Sequence, residues 1–185
     1  MKRMMPTLAV LLLGGAACTT IAPTMSDPTT APPTGEPPGS AAFTLSSPDM
    51  QDGGRMPVQF TCDGANSSPP LAFSGAPAGT IEFLLVVTDR DVAGQTQWIV
   101  ANIPVKVTSF NEGALPPSAV ELTNSSGGAR WWGPCPTSGQ NTYQFSLYAL
   151  DKPSTLSKAS DRAAVDTVMR RATAVATFDG TYKRG

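Results

Sequence analysis

The sequence predicts a mainly β domain with a single C-terminal helix and long loops. Three observations point that way. Short apolar or alternating runs recur at residues 43–45, 58–62, 81–88, 98–103, 143–150 and 173–178. Turn chemistry such as Asp52-Gly53-Gly54, Asp63-Gly64, Ala78-Gly79 and Ser126-Gly127-Gly128 separates them. One stretch, 161–172, instead carries apolar residues at helical spacing. Period-two runs bounded by Gly and Asp are strand signals, because side chains alternate across a pleated sheet and these residues accept the angles of tight turns.

Taken in order, Phe43-Thr44-Leu45 reads as a short strand and Val58-Gln59-Phe60-Thr61-Cys62 as a second. The third, 81–88, is apolar at nearly every position from Ile81 to Val87, which predicts burial on both faces. A fourth follows at 98–103, beginning with Trp98. Tyr143-Gln144-Phe145-Ser146-Leu147-Tyr148 alternates, so that strand is expected to have one wetter face. In the helix, Ala164, Val165, Val168, Met169 and Ala172 fall on one stripe, with Ser160 placed to cap it. Asp161 and Asp166 near its start and Arg170 and Arg171 at its end suit the macrodipole, and Asp166 with Arg170 is a favourable i,i+4 pair. The last strand is 173–178. The long Pro-, Gly- and Ser-rich connection 111–140 is of a length found in functional or mobile loops.

The chain begins differently. Residues 1–17 read as an export signal: Lys2 and Arg3, then an apolar core at 7–13, then the small residues 14–17 before Cys18. The core is too short to span a bilayer. A small-residue run ending in Cys resembles the lipobox of bacterial lipoproteins, although Gly15 stands where that motif usually has Leu. The resemblance implies lipidation of Cys18 and anchoring to the cell envelope on its periplasmic side. Residues 18–41 are Pro-, Thr- and Ser-rich, with too little apolar surface to offset the entropy of ordering, and read as a disordered tether. Residues 42–185 are left as one domain of common size.

With 13 Lys and Arg against 14 Asp and Glu, the formal net charge is −1, so no basic field is available to attract nucleic acid or an anionic membrane surface. A membrane partner is expected through the lipid alone. The chain has no histidine, which removes Ser-His-Asp and Cys-His catalysis and His-based metal sites. Neither a cofactor nor a metal site is expected, and the protein is read as a non-enzyme. Besides Cys18 the thiols are Cys62 and Cys135, a pair that fits either a disulfide in an oxidising compartment or two buried inert thiols. Polar groups and rigid turns sit beside apolar strand sequence at Asp89-Arg90-Asp91 and at Gly133-Pro134-Cys135-Pro136, the kind of place where a sheet protein builds a pocket. Asp89 and Asp91, at i and i+2, make a carboxylate pair for acid–base work conceivable, against plain hydrogen bonding to loop amides.

Between residues 42 and 184 lie the segments Phe43-Thr44-Leu45-Ser46-Ser47-Pro48, Thr61-Cys62-Asp63-Gly64-Ala65-Asn66-Ser67-Ser68-Pro69-Pro70, Asp89-Arg90-Asp91, Trp98-Ile99-Val100-Ala101-Asn102-Ile103-Pro104, Gly133-Pro134-Cys135-Pro136 and Leu147-Tyr148-Ala149-Leu150-Asp151. On these segments the chain resembles the phosphatidylethanolamine-binding protein family, in its bacterial Raf-kinase-inhibitor-like branch. The resemblance implies a β-sandwich with a small pocket at one end for phosphate-like groups. By motif its residues become Asp89, Asp91, Gln97, Gly133, Pro134, Asn141 and Tyr143. Gln97 and Asn141 stand where the family has two histidines, Arg90 where it has proline, and Thr142 where it has arginine. Cys62 and Cys135 border the same end of the resembled fold, where a disulfide would pin the Gly-Pro loop. Trp131 and Trp132, just before that loop, are candidates for the pocket wall or for packing.

A phosphate beside two carboxylates needs cationic donors, and Gln and Asn supply only neutral ones. Backbone N–H groups near Gly133 remain as donors. The expected function is therefore a non-enzymatic, envelope-anchored module that binds a small phosphate-like or neutral polar group through a weakened pocket. Two other readings fit the same residues. One is a protein-interaction or inhibitor domain acting on a protease or kinase, with 111–140 as the engaging loop. The other is a structural envelope domain whose pocket is vestigial.

Overall fold

The computed structural model describes residues 42–184. The expected signal, the lipidated Cys18 and the tether lie outside the described residues. In chain order the elements are β1 (Thr44–Ser46), β2 (Gly54–Arg55), a 3-10 turn (Val58–Phe60), β3 (Leu71–Ser74), β4 (Glu82–Asp89), β5 (Thr96–Pro104), β6 (Ser109–Phe110), β7 (Val120–Glu121), β8 (Gln140–Leu150), α1 (Arg162–Arg170) and β9 (Ala174–Lys183). They form two sheets, one of three strands in the order β1-β3-β6 and one of six in the order β2-β9-β8-β4-β5-β7. The long strands of the larger sheet are antiparallel, and only its edge strand β2 runs parallel to its neighbour.

The larger sheet is covered on both faces, which is why β4 carries an unbroken apolar run. Phe83, Leu85 and Val87 point into one cluster with Leu45, Leu71, Phe73 and Phe110 of the smaller sheet. Leu84 and Val86 point the other way, into a cluster with Ile99, Ala101, Leu150 and Val165 and Val168 of α1. An aromatic chain, Phe73–Phe110–Trp98–Trp131–Phe145–Phe178, runs through the first cluster with ring centroids 4.7 to 6.2 Å apart. Edge-to-face and stacked pairs of this kind add to the area they bury.

Three local expectations are corrected. Residues 58–62 are not a strand: Val58–Phe60 is a 3-10 turn following Pro57, in which Phe60 is buried while Val58 is 45% exposed. The alternation was real but served a turn, since Thr61 donates N–H and hydroxyl to the Val58 carbonyl and Cys62 N–H reaches the Pro134 carbonyl instead of a ladder. The helix is capped by Asp161, whose carboxylate accepts from Ala164 N–H at 2.9 Å. Ser160 is spent on the preceding turn, accepting from Ser157 N–H. Asp166 pairs with Arg162 on its N-terminal side, Nε to Oδ1 2.7 Å, and Arg170 turns to the Thr167 hydroxyl. The expected stripe holds: Val165 and Val168 are buried, with Ala164, Met169 and Ala172 packed beside them.

The connection 111–140 is fastened rather than loose. Asn124, buried in its middle, donates to the carbonyls of Gln97 and Arg130 and accepts from Ser126 and Gly128 N–H. Trp131 is 5% exposed, and its Nε1–H donates to the Phe60 carbonyl at 2.9 Å, so it packs in the core and forms no pocket wall.

Candidate functional site

β4 and β8 lie side by side with Asp89 opposite Tyr143, and the turn out of β4 folds back as Asp89 N–H bonds the Gln95 carbonyl. The next residue keeps the strands together, Arg90 N–H donating to the Thr142 carbonyl. Two loops therefore meet at this end of the large sheet, 89–95 from β4 and 133–139 leading into β8. Between them is a cleft of about 350 Å³.

Asp89 is 4% exposed, and each of its carboxylate oxygens accepts a hydrogen bond. Oδ1 accepts from Asp91 N–H at 2.9 Å and Oδ2 from the Asn141 amide at 2.8 Å. Bonds to the charged form let a carboxylate stay in so buried a place. Asp91 is exposed and fixes the loop from the other side, its Oδ2 accepting from Thr142 N–H at 2.6 Å. Asp89, Asp91 and Asn141 thus share one network in the cleft wall. Through these two bonds Asp89 ties the 89–95 turn to β8.

The other sequence-derived residues are placed differently. Gln97, Gly133, Pro134 and Tyr143 do not line the cleft. Gln97 is the extra residue of a β-bulge, since Val87 pairs with Trp98 and Thr88 with Thr96. It is 1% exposed, and its Oε1 has no hydrogen-bond partner among the described residues. Gly133 N–H is not free for a ligand, because Asn66 Oδ1 accepts it at 2.8 Å. Glycine is needed there for close approach: a Cβ would land on Asn66 Oδ1 and the Phe60 carbonyl and within 3.0 Å of Thr61 Cα. Pro134 is buried and serves through its carbonyl, the acceptor for Cys62 N–H.

Cys62 and Cys135 are joined as a disulfide with Cα atoms 5.4 Å apart, so of the two readings of this pair the bonded one holds. The bridge anchors the 133–139 loop, and Cys135 itself lines the cleft. Arg90 does not supply a charge to the cleft. It is exposed, and its Nη1 pairs with Asp179 Oδ2 at 2.9 Å on β9.

Tyr143 stands behind the network. Burial first, then the negative charge of Asp89 beside it, hold its hydroxyl protonated well past the ordinary tyrosine range. A raised pKa means that the folded chain keeps this proton at a pH where the unfolded chain gives it up. Stability from this group is therefore complete below the unfolded value of 10.0 and falls as pH rises beyond it. We expect Tyr143→Phe to lessen the loss of melting temperature above pH 10, as read by thermal melts between pH 8 and 11. An unchanged alkaline slope contradicts this.

Sequence reasoning missed Gln95, Thr137 and Ser138, whose side chains make no hydrogen bonds among the described residues and face the cleft. The signal for the last two was the turn Thr137-Ser138-Gly139 directly after Pro136. Nothing local marks Gln95. The wall contains no Lys or Arg among the described residues, so its formal charge is negative.

A profile described as phosphatidylethanolamine-binding protein matches residues 46–183. The chain belongs to the phosphatidylethanolamine-binding protein family. Among its relatives is a Mycobacterium tuberculosis protein named "Putative lipoprotein LppC", 37% identical over 166 residues, covering 85% of this chain and 80% of the relative. A UPF0098 protein of Methanothermobacter thermautotrophicus is 37% identical over 144 residues, 74% of this chain and 95% of that one. The crystal structure of Escherichia coli YbcL, described as a new member of the mammalian PEBP family, superposes with a TM-score of 0.72 at 30% identity, covering 77% of this chain and 99% of YbcL. A Chlamydia trachomatis homologue, CT736, gives 0.73 at 30% identity, with 78% and 99% covered.

Proposed function

We propose that this member of the family is a non-enzymatic small-ligand binding module, exported and held at the cell envelope by a lipid on Cys18. The lipid anchor rests on the sequence of residues 1–18 and on the name of the mycobacterial relative. The observation that carries the binding role is the cleft itself: Asp91, Gln95, Thr137, Ser138 and Asn141 gather around one concavity whose rigid frame is Asp89 and the disulfide. Rigid frames of this kind reduce the ordering cost of binding.

The same wall selects against phosphate. Asp91 brings negative charge, Arg90 is turned away, and Gly133 N–H is taken by Asn66. A neutral or cationic polar group rich in hydrogen-bond donors suits these acceptors better. Inorganic phosphate or phosphoethanolamine is expected to bind the full chain no tighter than about millimolar. Calorimetry at a pH where the phosphate is doubly ionised is the check. Low-micromolar phosphate binding overturns the reading.

A further inference from the structure

A second concavity, of about 320 Å³, opens at the rim where β2, β8 and β9 meet, and its charge is opposite to that of the cleft. It is lined by Arg55, Gln140, Lys183 and Arg184. Topology brings them together. Arg55 ends β2, which runs parallel to β9 with Arg55 opposite Thr181. Lys183 ends β9 opposite Gln140, the first residue of β8, and Arg184 follows Lys183 directly. All four are exposed.

Of the three cations, only Arg184 has a carboxylate partner among the described residues, with Nη2 3.0 Å from Asp63 Oδ1. Charges on a sheet edge ordinarily guard against pairing with another chain, and for that purpose they can be spread along the edge. Arg55 and Lys183, converging on one concavity with no carboxylate partner among the described residues, repel one another without that benefit. An anion relieves the repulsion. The lining side chains also offer the right donors: the Arg55 guanidinium fork and the Lys183 ammonium are suited to oxyanions, with Arg184, shared with Asp63, and the Gln140 amide beside them.

We propose that this rim binds a phosphate-type oxyanion, held by Arg55, Lys183 and Arg184. It is distinct from the carboxylate cleft but adjacent to it, since Arg184 Nη1 points at the sulfur of Cys135, 3.7 Å away, and Cys135 lines that cleft. The oxyanion can be free phosphate or the headgroup of an anionic lipid, and the chemistry of the rim is the same for both. Being open to solvent, the site is expected to work in the millimolar range and to weaken with salt.

The test uses the full chain carrying Cys18→Ser, so that no acyl group contributes. Inorganic phosphate is titrated while backbone amides are followed by NMR. Shifts are expected at Arg55, Gln140, Lys183 and Arg184, with a dissociation constant at least about tenfold weaker in Arg55→Gln/Lys183→Gln. Neither of those side chains makes a hydrogen bond or ion pair among the described residues, so the melting temperature of the double variant should match the parent and any loss of binding is not a loss of fold. Arg184→Gln is measured separately because it also releases Asp63. Co-sedimentation with phosphatidylglycerol vesicles, against phosphatidylcholine vesicles, separates the two sources: pelleting lost in the double variant assigns a lipid headgroup, and phosphate binding without pelleting assigns a free anion. Phosphate shifts confined to the 89–95 and 133–139 loops, an unchanged constant in the double variant, or no binding in either arm overturns the proposal.

Discussion

A Cys62→Ala/Cys135→Ala variant melts roughly 10–15 °C below the parent chain, because it loses about 4 kcal/mol of stability. The figure comes from the size of the loop the bridge closes, 73 residues along the chain, whose freedom in the unfolded state the bond removes. The native network around the bridge survives in part. Cys62 N–H still reaches the Pro134 carbonyl, Trp131 still donates to the Phe60 carbonyl, and Gly133 still donates to Asn66. The fold should therefore form, with its loss concentrated in the 135–139 wall of the cleft. Thermal melts of the parent with and without reductant should reproduce the shift. A reduced parent that melts with the oxidised one contradicts the structural weight given to this bond.

Gly133→Ala is expected to destabilise the chain by about 3 kcal/mol, the upper range of overpacking, without touching any group in the cleft wall. The added methyl meets backbone on one side, the Phe60 carbonyl and Thr61 Cα, and displaces the Asn66 amide on the other. Backbone cannot swing aside as a flexible side chain can, and moving Asn66 also leaves Gly133 N–H, in a buried turn, without its acceptor. Asn66→Ala removes the same hydrogen bond without the clash, so it should cost less, on the order of 1–2 kcal/mol. Denaturant unfolding of the two variants tests the order. If Asn66→Ala is the more damaging, close approach is not what requires glycine at 133.

How much of this was legible in the sequence differed by scale. The apolar run in β4 announced burial on both faces, and the structure supplies two clusters to bury it. The stripe of α1 was likewise readable, because it depends only on spacing. Short elements were not: β2, β6 and β7 have two residues each and owe their form to pairing with distant strands rather than to their own propensity. β3, Leu71–Ser74, was missed for a similar reason, four residues set between prolines and a glycine.

At the site the same division holds. Asp89, Asp91 and Asn141 could be named from the family resemblance, and they converge in one hydrogen-bonded network. What each polar group is spent on was hidden. That Gly133 N–H is consumed by Asn66, 67 residues earlier, or that Arg90 is drawn off by Asp179, 89 residues later, depends on long-range neighbours that no local pattern encodes.

The central claim is that the cleft between the 89–95 and 133–139 loops recognises donors and disfavours phosphate. The most direct measurement is a pair of NMR titrations of the full chain carrying Cys18→Ser, one with ethanolamine, which brings a hydroxyl and an ammonium, and one with inorganic phosphate. Ethanolamine is predicted to shift the amides of Asp91, Gln95, Thr137, Ser138 and Asn141, while phosphate leaves them in place. Saturable phosphate shifts at these residues, with none from ethanolamine, would contradict the account.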